Sequence, residues 1–303
     1  MTEKERERAR KRLAVPFSVL VTPFEEDGGL DLFAFERLLA WQRDNGCRGV
    51  AIGLQRAEGG SLRAEEYETL IALAASTLGG RVPVVAGCDG AFTERAVSLA
   101  KRAYDAGAEC LYCPPPAGVS SAGPGYFAHL LALSGAVPLP IISGCSPGRT
   151  AARLSAEQMK IEGVLGVAVE GGLLDGQLLR EEIGDALLFS LEDPLLFCCG
   201  ALGFDGALSP LACLYPRAVS SLAGALQGGR VKEAAQLQLA LAPLLSMLSG
   251  DRGNALIKWA LHRKGLCTPA LRLPFVLPPQ GELAAFEKAC LHFERAWRAG
   301  GLR

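Results

Sequence analysis

The sequence predicts an α/β protein, a (β/α)8 TIM barrel with a C-terminal helical extension. Short apolar runs alternate with longer amphipathic runs eight times, and further helical runs follow the eighth. The 303 residues, half of them apolar, suffice for one large core, and such barrels commonly occupy about 250 residues. An open doubly wound sheet is the alternative. The first apolar run is followed by no glycine-rich dinucleotide fingerprint, which removes the best support for that alternative.

The eight apolar runs are each too short for a helix and are apolar on both faces, as parallel strands covered on two sides should be. These predicted strands are Phe17–Phe24, Arg48–Gly53, Arg81–Gly87, Ala108–Pro114, Val137–Ser143, Gly163–Val169, Asp185–Leu191 and Asp205–Leu211.

Helix start and stop signals lie between the strands. One helix opens near Ser61 and ends at Gly79, and the next opens at a capping Thr93 and ends at Gly107. Eight strand-then-helix units in series predict a parallel sheet that closes into a barrel. The helical runs after the eighth strand are 231–248, 254–264 and 282–297. We therefore predict a charged N-terminal extension (1–14), the barrel (15–229) and a C-terminal helical appendage (230–303).

Composition excludes several classes of function. The formal net charge of −1 gives no support for nucleic-acid binding. No apolar run approaches the ~20 residues that cross a bilayer, and no apolar segment of a secretory signal follows the charged extension. We expect that extension to be a solvated or frayed helix. The ten cysteines lie mostly in apolar runs, which favours reduced thiols in a cytoplasmic protein, and neither a metal nor a cofactor is indicated.

Motifs along almost the whole chain, from Val15 to Pro278, resemble the dihydrodipicolinate synthase/N-acetylneuraminate lyase family. Their order and spacing match that family, although each motif alone is weak. The matching segments are Val21–Phe24 with Leu30-Asp31, Pro83–Gly87, Pro147–Thr150, Gly203–Ser209 and Leu271–Pro274.

The resemblance implies class I aldolase-type chemistry on a 2-oxo acid such as pyruvate. In that family a lysine of the sixth strand forms an imine with the keto carbon, and a tyrosine of the fifth strand relays protons, helped by a Gly-Thr-Thr-Gly-Glu loop. Here Ala168 stands at the lysine position and Gly144 at the tyrosine position. The loop reads Gly53–Glu58 without threonine, and Pro114–Pro116 replaces a tyrosine pair. None of the lysines lies in a predicted strand, and we expect them on helices or in the extension, at the surface.

The leading hypothesis is a catalytically degenerate member, a pseudoenzyme that binds a small carboxylate or 2-oxo acid. Arg149 is the principal candidate, because its planar guanidinium binds carboxylates in two-point fashion and its family position is at the mouth of the site. Arg56 either contacts an anion or projects into solvent. Gln55 stands where a hydroxyl donor is expected. Glu58 and Ser209 match family positions, and we favour structural roles for both.

Several alternatives stay open. The rival hypothesis is an active lyase or hydrolyase with displaced catalytic groups. Cys88, Cys113 and Cys145 follow three strand ends, so they could form a thiol nucleophile or soft-metal site at the barrel mouth, or simply fill a vacated pocket. The resemblance also implies a homodimer or homotetramer, and a subunit that partners an active paralogue is a further possibility.

Overall fold

Eight parallel strands close into a barrel in the computed structural model, which describes residues 1–145, 156–248 and 252–299. The strands pair in chain order and β8 closes on β1, so the predicted barrel is confirmed. The strands are β1 (Phe17–Val19), β2 (Val50–Ile52), β3 (Val84–Gly87), β4 (Cys110–Cys113), β5 (Ile141–Cys145), β6 (Val164–Val169), β7 (Leu187–Ser190) and β8 (Gly206–Ser209). Each overlaps one predicted run.

Helices surround the barrel and continue beyond it. The described helices are α1 (Glu3–Leu13), α2 (Leu32–Asp44), α3 (Ala64–Leu78), α4 (Thr93–Asp105), α5 (Pro124–Ala136), α6 (Leu173–Ile183), α7 (Leu196–Ala201), α8 (Pro210–Leu214), α9 (Pro216–Gln227), α10 (Val231–Leu245), α11 (Gly253–Arg263) and α12 (Gln280–Ala299).

The ends of the helices largely follow the sequence signals. The Asp31 carboxylate caps α2 by accepting a hydrogen bond from the Ala34 N–H, and α3 ends at Gly79, whose φ of 54° favours glycine. The prediction that Thr93 caps α4 was wrong. Thr93 is the first helical residue, and its hydroxyl hydrogen-bonds Nδ1 of His129 on α5 instead.

The N-terminal extension forms the mostly exposed helix α1, as expected, and the end of this helix packs against one end of the barrel. Arg6 donates to the carbonyl of Val164 at the start of β6, and Arg12 forms an ion pair of 2.7 Å with Glu109, just before β4. Leu13 is buried against the barrel interior. Because α1 covers the amino-terminal ends of the strands, the carboxyl-terminal ends form the mouth.

The C-terminal helices share the outer core of the barrel. Leu237 of α10, Leu256 of α11 and Phe286 of α12 are fully buried in the same apolar cluster as Leu38 and Ile71 of the barrel helices. The C-terminal helices therefore pack onto the barrel rather than form a separate body. None of the described helices is long and apolar enough to cross a membrane.

A second apolar cluster fills the inside of the barrel. It includes Phe17 and Phe189, whose ring centres are 6.0 Å apart, together with Tyr112, Ile142 and Ala168. Residues on alternate positions of each strand point inward, as the two-residue period of a strand requires. The barrel is therefore packed, and any ligand site must lie above this layer.

Candidate functional site

Gly144 and Ala168, the positions that the resemblance assigns to a tyrosine and a lysine, are neighbours in the sheet. They pair across β5 and β6, and each precedes the last residue of its strand. Ala168 is fully buried within the barrel interior. The structure brings the two positions together at the carboxyl ends of the strands, where barrel active sites lie, but neither carries a group that can react.

The backbone around Gly144 leaves no room for a side chain. A β-carbon there would lie 2.8 Å from Cδ of Pro115 and 2.9 Å from Cα of Pro114. The Gly144 N–H donates to the hydroxyl of Tyr126, which in turn donates to the Cys113 carbonyl at 2.5 Å. The buried Tyr126 hydroxyl of α5 thus links β4 to β5 by hydrogen bonds. Pro114 and Pro115 occupy the space into which a side chain at position 144 would extend.

Tyr112 places a phenol inside the barrel, which the sequence reasoning missed. It lies on β4 and belongs, with Cys110, to the interior cluster, whereas Leu111 and Cys113 face the helices. Burial raises the pKa of its hydroxyl well above the ordinary value. The sequence did contain a signal for this position. Successive residues of a strand point to opposite faces, so two of the four residues of β4 must point into the barrel.

Arg56 crosses the mouth from the loop after β2. Its guanidinium donates to Oε1 of Glu170 at 2.7 Å and to the Leu191 carbonyl at 2.8 Å, and Oε1 of Glu192 is 3.5 Å away. Arg56 therefore does not project into solvent, and its charge is already paired within the protein. Gln55 beside it is exposed, and its backbone N–H donates to Asp89 at 3.1 Å.

Glu58 forms a buried ion pair with Lys258 of α11. Lys258 Nζ lies 3.0 Å and 2.7 Å from the two carboxylate oxygens, and both side chains are 0% exposed. The same nitrogen donates to the Ala270 carbonyl and lies 4.5 Å from the centre of the Phe24 ring. The expectation that the lysines lie at the surface was therefore wrong for Lys258, because helical position alone does not reveal which face a neighbouring loop covers.

Burial dominates the electrostatics of this pair. It lowers the pKa of Lys258 and raises that of Glu58, while their mutual attraction opposes both shifts. Glu58 also has φ 65°, a left-handed conformation that is uncommon outside glycine. Lys258 thus holds the loop after β2 in place.

Ser209 and Asp193 lie together beside the mouth. The Ser209 hydroxyl caps α8 by accepting from the Ala212 N–H at 3.0 Å, and Oδ2 of Asp193 accepts from the Leu211 N–H at 2.8 Å. Burial raises the Asp193 pKa to about 6, although the Ser209 hydroxyl favours the ionised form. Sequence reasoning missed Asp193, whose only signal was its position just after the seventh strand.

A cavity of about 530 Å³ opens at the mouth. Its polar lining includes Gln55, Arg56, Glu170, Glu192, Asp193 and Asn254. The candidates Glu58 and Ser209 are fully buried behind this surface. Arg149 lies outside the described residues.

The three strand-end cysteines do not converge on the mouth, which disfavours the alternative of a thiol nucleophile or soft-metal site there. Cys88 and Cys113 are buried in the outer cluster between strands and helices, and Cys145 is buried against α6. Burial raises the pKa of Cys88 to about 12, so it is a poor nucleophile. None of the ten cysteines, all of them within the described ranges, forms a disulfide, and no described cluster of three or more metal-ligating side chains is present.

Comparison with known proteins decides the family. The model of the dihydrodipicolinate synthetase family matches residues 13–290. This chain belongs to that family. The 4-hydroxy-tetrahydrodipicolinate synthase of Methylobacterium radiotolerans is 33% identical over 271 residues, covering 88% of this chain and 90% of the relative. That of Methylibium petroleiphilum is 31% identical over 261 residues, covering 84% and 89%.

Solved structures of the dihydrodipicolinate synthetase family have the same fold. The 4-hydroxy-tetrahydrodipicolinate synthase from Methylacidiphilum fumariolicum SolV superposes with a TM-score of 0.87 at 27% identity, covering 93% of this chain and 96% of the other. The dihydrodipicolinate synthase of Acinetobacter baumannii, solved in complex with pyruvate, gives 0.86 at 25% identity, covering 92% and 99%.

Proposed function

We propose that this chain is a dihydrodipicolinate synthetase family member that forms no imine with a 2-oxo acid and instead holds a small ligand non-covalently. The observation that carries the proposal is the fully buried Ala168 at the position of the imine-forming lysine. Imine formation requires a neutral amine within reach of the keto carbon. The described lining of the mouth cavity contains no lysine.

The state of Gly144 supports the same proposal. A member that lost only its lysine would retain a proton relay, whereas here the tyrosine position has no space for a side chain.

The loop after β2 has also changed its role. Its polar residues are Gln55, exposed at the cavity, Arg56, paired with Glu170, and Glu58, paired with Lys258.

Lys258 is the best candidate for the rival function, an active lyase or hydrolyase with a displaced amine. Burial favours its neutral form, which is the reactive one. Its nitrogen, however, is enclosed by Glu58, Ala270 and the Phe24 ring, and the side chain is 0% exposed. A keto acid would have to break a buried ion pair to reach it, which disfavours the rival function.

We propose a small carboxylate or 2-oxo acid as the ligand, and we expect Arg149 to bind its carboxylate group. The other candidate cation, Arg56, already donates to Glu170 and to the Leu191 carbonyl. An anion at the described part of the mouth would therefore compete with Glu170 for the same guanidinium.

For assembly we propose a homodimer or homotetramer, with partnership to an active paralogue as the second candidate. The loop Pro114–Pro116 lacks the tyrosine pair that the resemblance assigns to it. We therefore expect that this loop places no aromatic side chain in the site of a neighbouring subunit. Sedimentation at micromolar protein would show a monomer if this is wrong. The ten cysteines without disulfides support a reducing compartment, for which we propose the cytoplasm.

Proton exchange tests the proposed function directly. An imine of pyruvate interconverts with its enamine, so an imine-forming protein exchanges the pyruvate methyl protons in D2O. We expect the methyl signal in the proton NMR spectrum to decay at the same rate with and without this protein. The synthase of Methylibium petroleiphilum serves as a comparison sample. Catalysed exchange by this chain, lost in a Lys258→Met variant that circular dichroism shows to be folded, would establish the rival function instead.

A further inference from the structure

A groove of about 240 Å³ lies between the C-terminal helices and the barrel. Its lining comes from the end of α2, the junction of α8 and α9, the end of α11, and α12. Each barrel helix carries the chain back to the start of the next parallel strand, so the end of α2 lies opposite the mouth. No described residue lines both this groove and the mouth cavity. The groove is therefore a separate candidate site.

Four aromatic side chains line the groove. Tyr215 and Phe293 meet edge to face with ring centres 4.7 Å apart, and the ring of Trp297 on α12 is centred 5.8 Å from that of Phe293. Trp41 of α2 is the fourth. Phe293 is buried, whereas the other three are partly exposed. This surface suits an aromatic ligand, because paired rings gain free energy beyond that of simple burial.

The same groove carries positive charge without a counter-ion. Glu294 is the one carboxylate in its described lining, and both Lys264 and the Tyr215 hydroxyl donate to it. Two guanidinium groups, those of Arg217 and Arg298, also line the groove, and neither forms an ion pair with a described residue. The charge of the lining therefore favours an anion.

Arg298 is the freer of the two guanidinium groups. Arg217 lies along the turn at Gly46 and donates to the Asp44 carbonyl at 3.5 Å. Arg298 is exposed, follows Trp297 directly on α12, and has no hydrogen bond to the described part of the chain. The indole N–H of Trp297 likewise has no described acceptor. Both groups are donors and one is charged, so an anionic acceptor complements them.

These features narrow the class of ligand. A neutral aromatic compound would pair with the rings but leave the charge of Arg298 without a partner. A compact inorganic anion would pair with Arg298 but leave the aromatic surface in water, and an aromatic cation would be repelled. The volume lies below the about 300–1,000 Å³ of sites for drug-sized ligands, so it admits one ring system with a short chain.

We infer that this groove binds a small aromatic carboxylate, with its ring against Trp297 and its carboxylate accepting from the Arg298 guanidinium. The groove is distinct from the mouth cavity, so the inference goes beyond the proposed function and does not depend on it. Pyruvate and glutarate have no ring, and we expect neither to compete for the groove.

The probe is 3-phenylpropionate, compared with three compounds of matched size. In 3-cyclohexylpropionate the aromatic ring is lost, in 3-phenylpropanamide the charge is lost, and in 3-phenylpropylammonium the charge is reversed. We expect 3-phenylpropionate to bind in a ligand-detected NMR titration at low salt. Loss of the aromatic ring or of the charge should weaken binding about threefold or more, and reversal of the charge about tenfold or more.

Variants of α12 locate the site. Arg298→Met should weaken binding of 3-phenylpropionate about threefold or more and remove its advantage over the amide, and an exposed residue can be replaced without loss of the fold. Arg295→Met is the matched control, since it removes the same charge from an exposed position of α12 outside the groove lining. Trp297→Leu should also weaken binding, and Trp297→Phe, which keeps a ring, should weaken it less.

Three outcomes overturn the inference. The first is no binding of 3-phenylpropionate at millimolar concentration, or binding no tighter than that of the amide. The second is an equal response of the affinity to Arg295→Met and Arg298→Met. The third is displacement of 3-phenylpropionate by pyruvate, which would place the ligand at the mouth. The pyruvate exchange measurement reports on the mouth alone, so the proposed function and this inference can fail independently.

Discussion

A β-carbon on Gly144 would lie 2.8 Å from Cδ of Pro115. Two sequence features that seemed independent, the glycine on β5 and the proline run after β4, are thus parts of one packing arrangement. Restoring a tyrosine at position 144 would require the proline loop to move. The changes at the mouth therefore depend on one another, and reversing one of them should not rebuild the relay.

Gly144→Ala should destabilise the protein by about 1–3 kcal/mol, because overpacking of a close-packed site displaces its neighbours. Urea denaturation measures the free energy of unfolding. Pro115→Gly combined with Gly144→Ala should recover part of the loss, since it removes the ring atom that the new methyl meets. Gly125→Ala is the control, because an added methyl on that α5 glycine meets nothing within 4 Å. Equal effects of the two alanine substitutions would contradict the packing account.

The Lys258–Glu58 pair should be a major structural contact. Lys258→Met leaves a fully buried carboxylate without its partner, and breaking such a pair costs about 3–5 kcal/mol. Combining Lys258→Met with Glu58→Gln should cost less than the sum of the single variants, as measured in a double-mutant cycle of unfolding free energies. Lys160→Met, which removes an exposed ion pair with Glu157, should cost less than about 1 kcal/mol. Additive effects at 58 and 258 would show that the pair is not coupled.

The barrel could be predicted from the sequence because its strands are local features. Each run, such as Gly163–Val169, is apolar on both faces, and only a sheet covered on two sides buries such a run. The resemblance assigned Gly144 to the fifth strand and Ala168 to the sixth, and the sheet register shows that the two residues are paired. The dense charge of the N-terminal helix correctly indicated exposure, but it did not reveal that Arg6 and Arg12 contact the barrel.

The site was harder to predict because its contacts join residues far apart in the chain. Lys258 and Glu58 are separated by 200 positions, and Arg56 reaches Glu170 across 114. No local periodicity encodes such pairs. Asp193 was missed for the same reason, since its burial depends on the way α7, α8 and α10 pack around it.

Asp193 should make stability depend on pH. Its pKa is raised to about 6 in the folded protein, mainly by burial, against 3.8 as its ordinary value. The folded state therefore binds the Asp193 proton more tightly than the unfolded state. The stabilisation that this proton provides is complete below pH 4 and is lost as the pH rises through 6. The loss approaches about 3 kcal/mol, at about 1.36 kcal/mol per pKa unit.

Comparison of wild type with Asp193→Asn isolates this contribution. Arg56 and Glu192 also act on Asp193, in opposite directions, and both remain in the variant. Urea denaturation at pH 4, 5, 6 and 7 should show the variant gaining stability relative to wild type as the pH rises. A difference that does not vary with pH would mean that Asp193 titrates normally.

Arg149 should govern any affinity for carboxylates. Charge-assisted hydrogen bonds to a carboxylate contribute about 1.5–3 kcal/mol, so Arg149→Ala should weaken binding of pyruvate or glutarate about tenfold or more. Calorimetry measures the affinity, and Arg217→Ala, outside the described cavity lining, controls for lost surface charge. An unchanged affinity would assign Arg149 a structural role.

Borohydride trapping tests the central claim most directly. Reduction converts an imine between a lysine and pyruvate into a stable secondary amine, which intact-mass measurement detects as one added group per chain. We expect no stoichiometric adduct, because Ala168 supplies no amine and Lys258 is enclosed by its ion pair. The Methylibium petroleiphilum synthase, treated in parallel, verifies the reagents. A single adduct on this chain that maps to one lysine would contradict the account and establish an imine-forming enzyme.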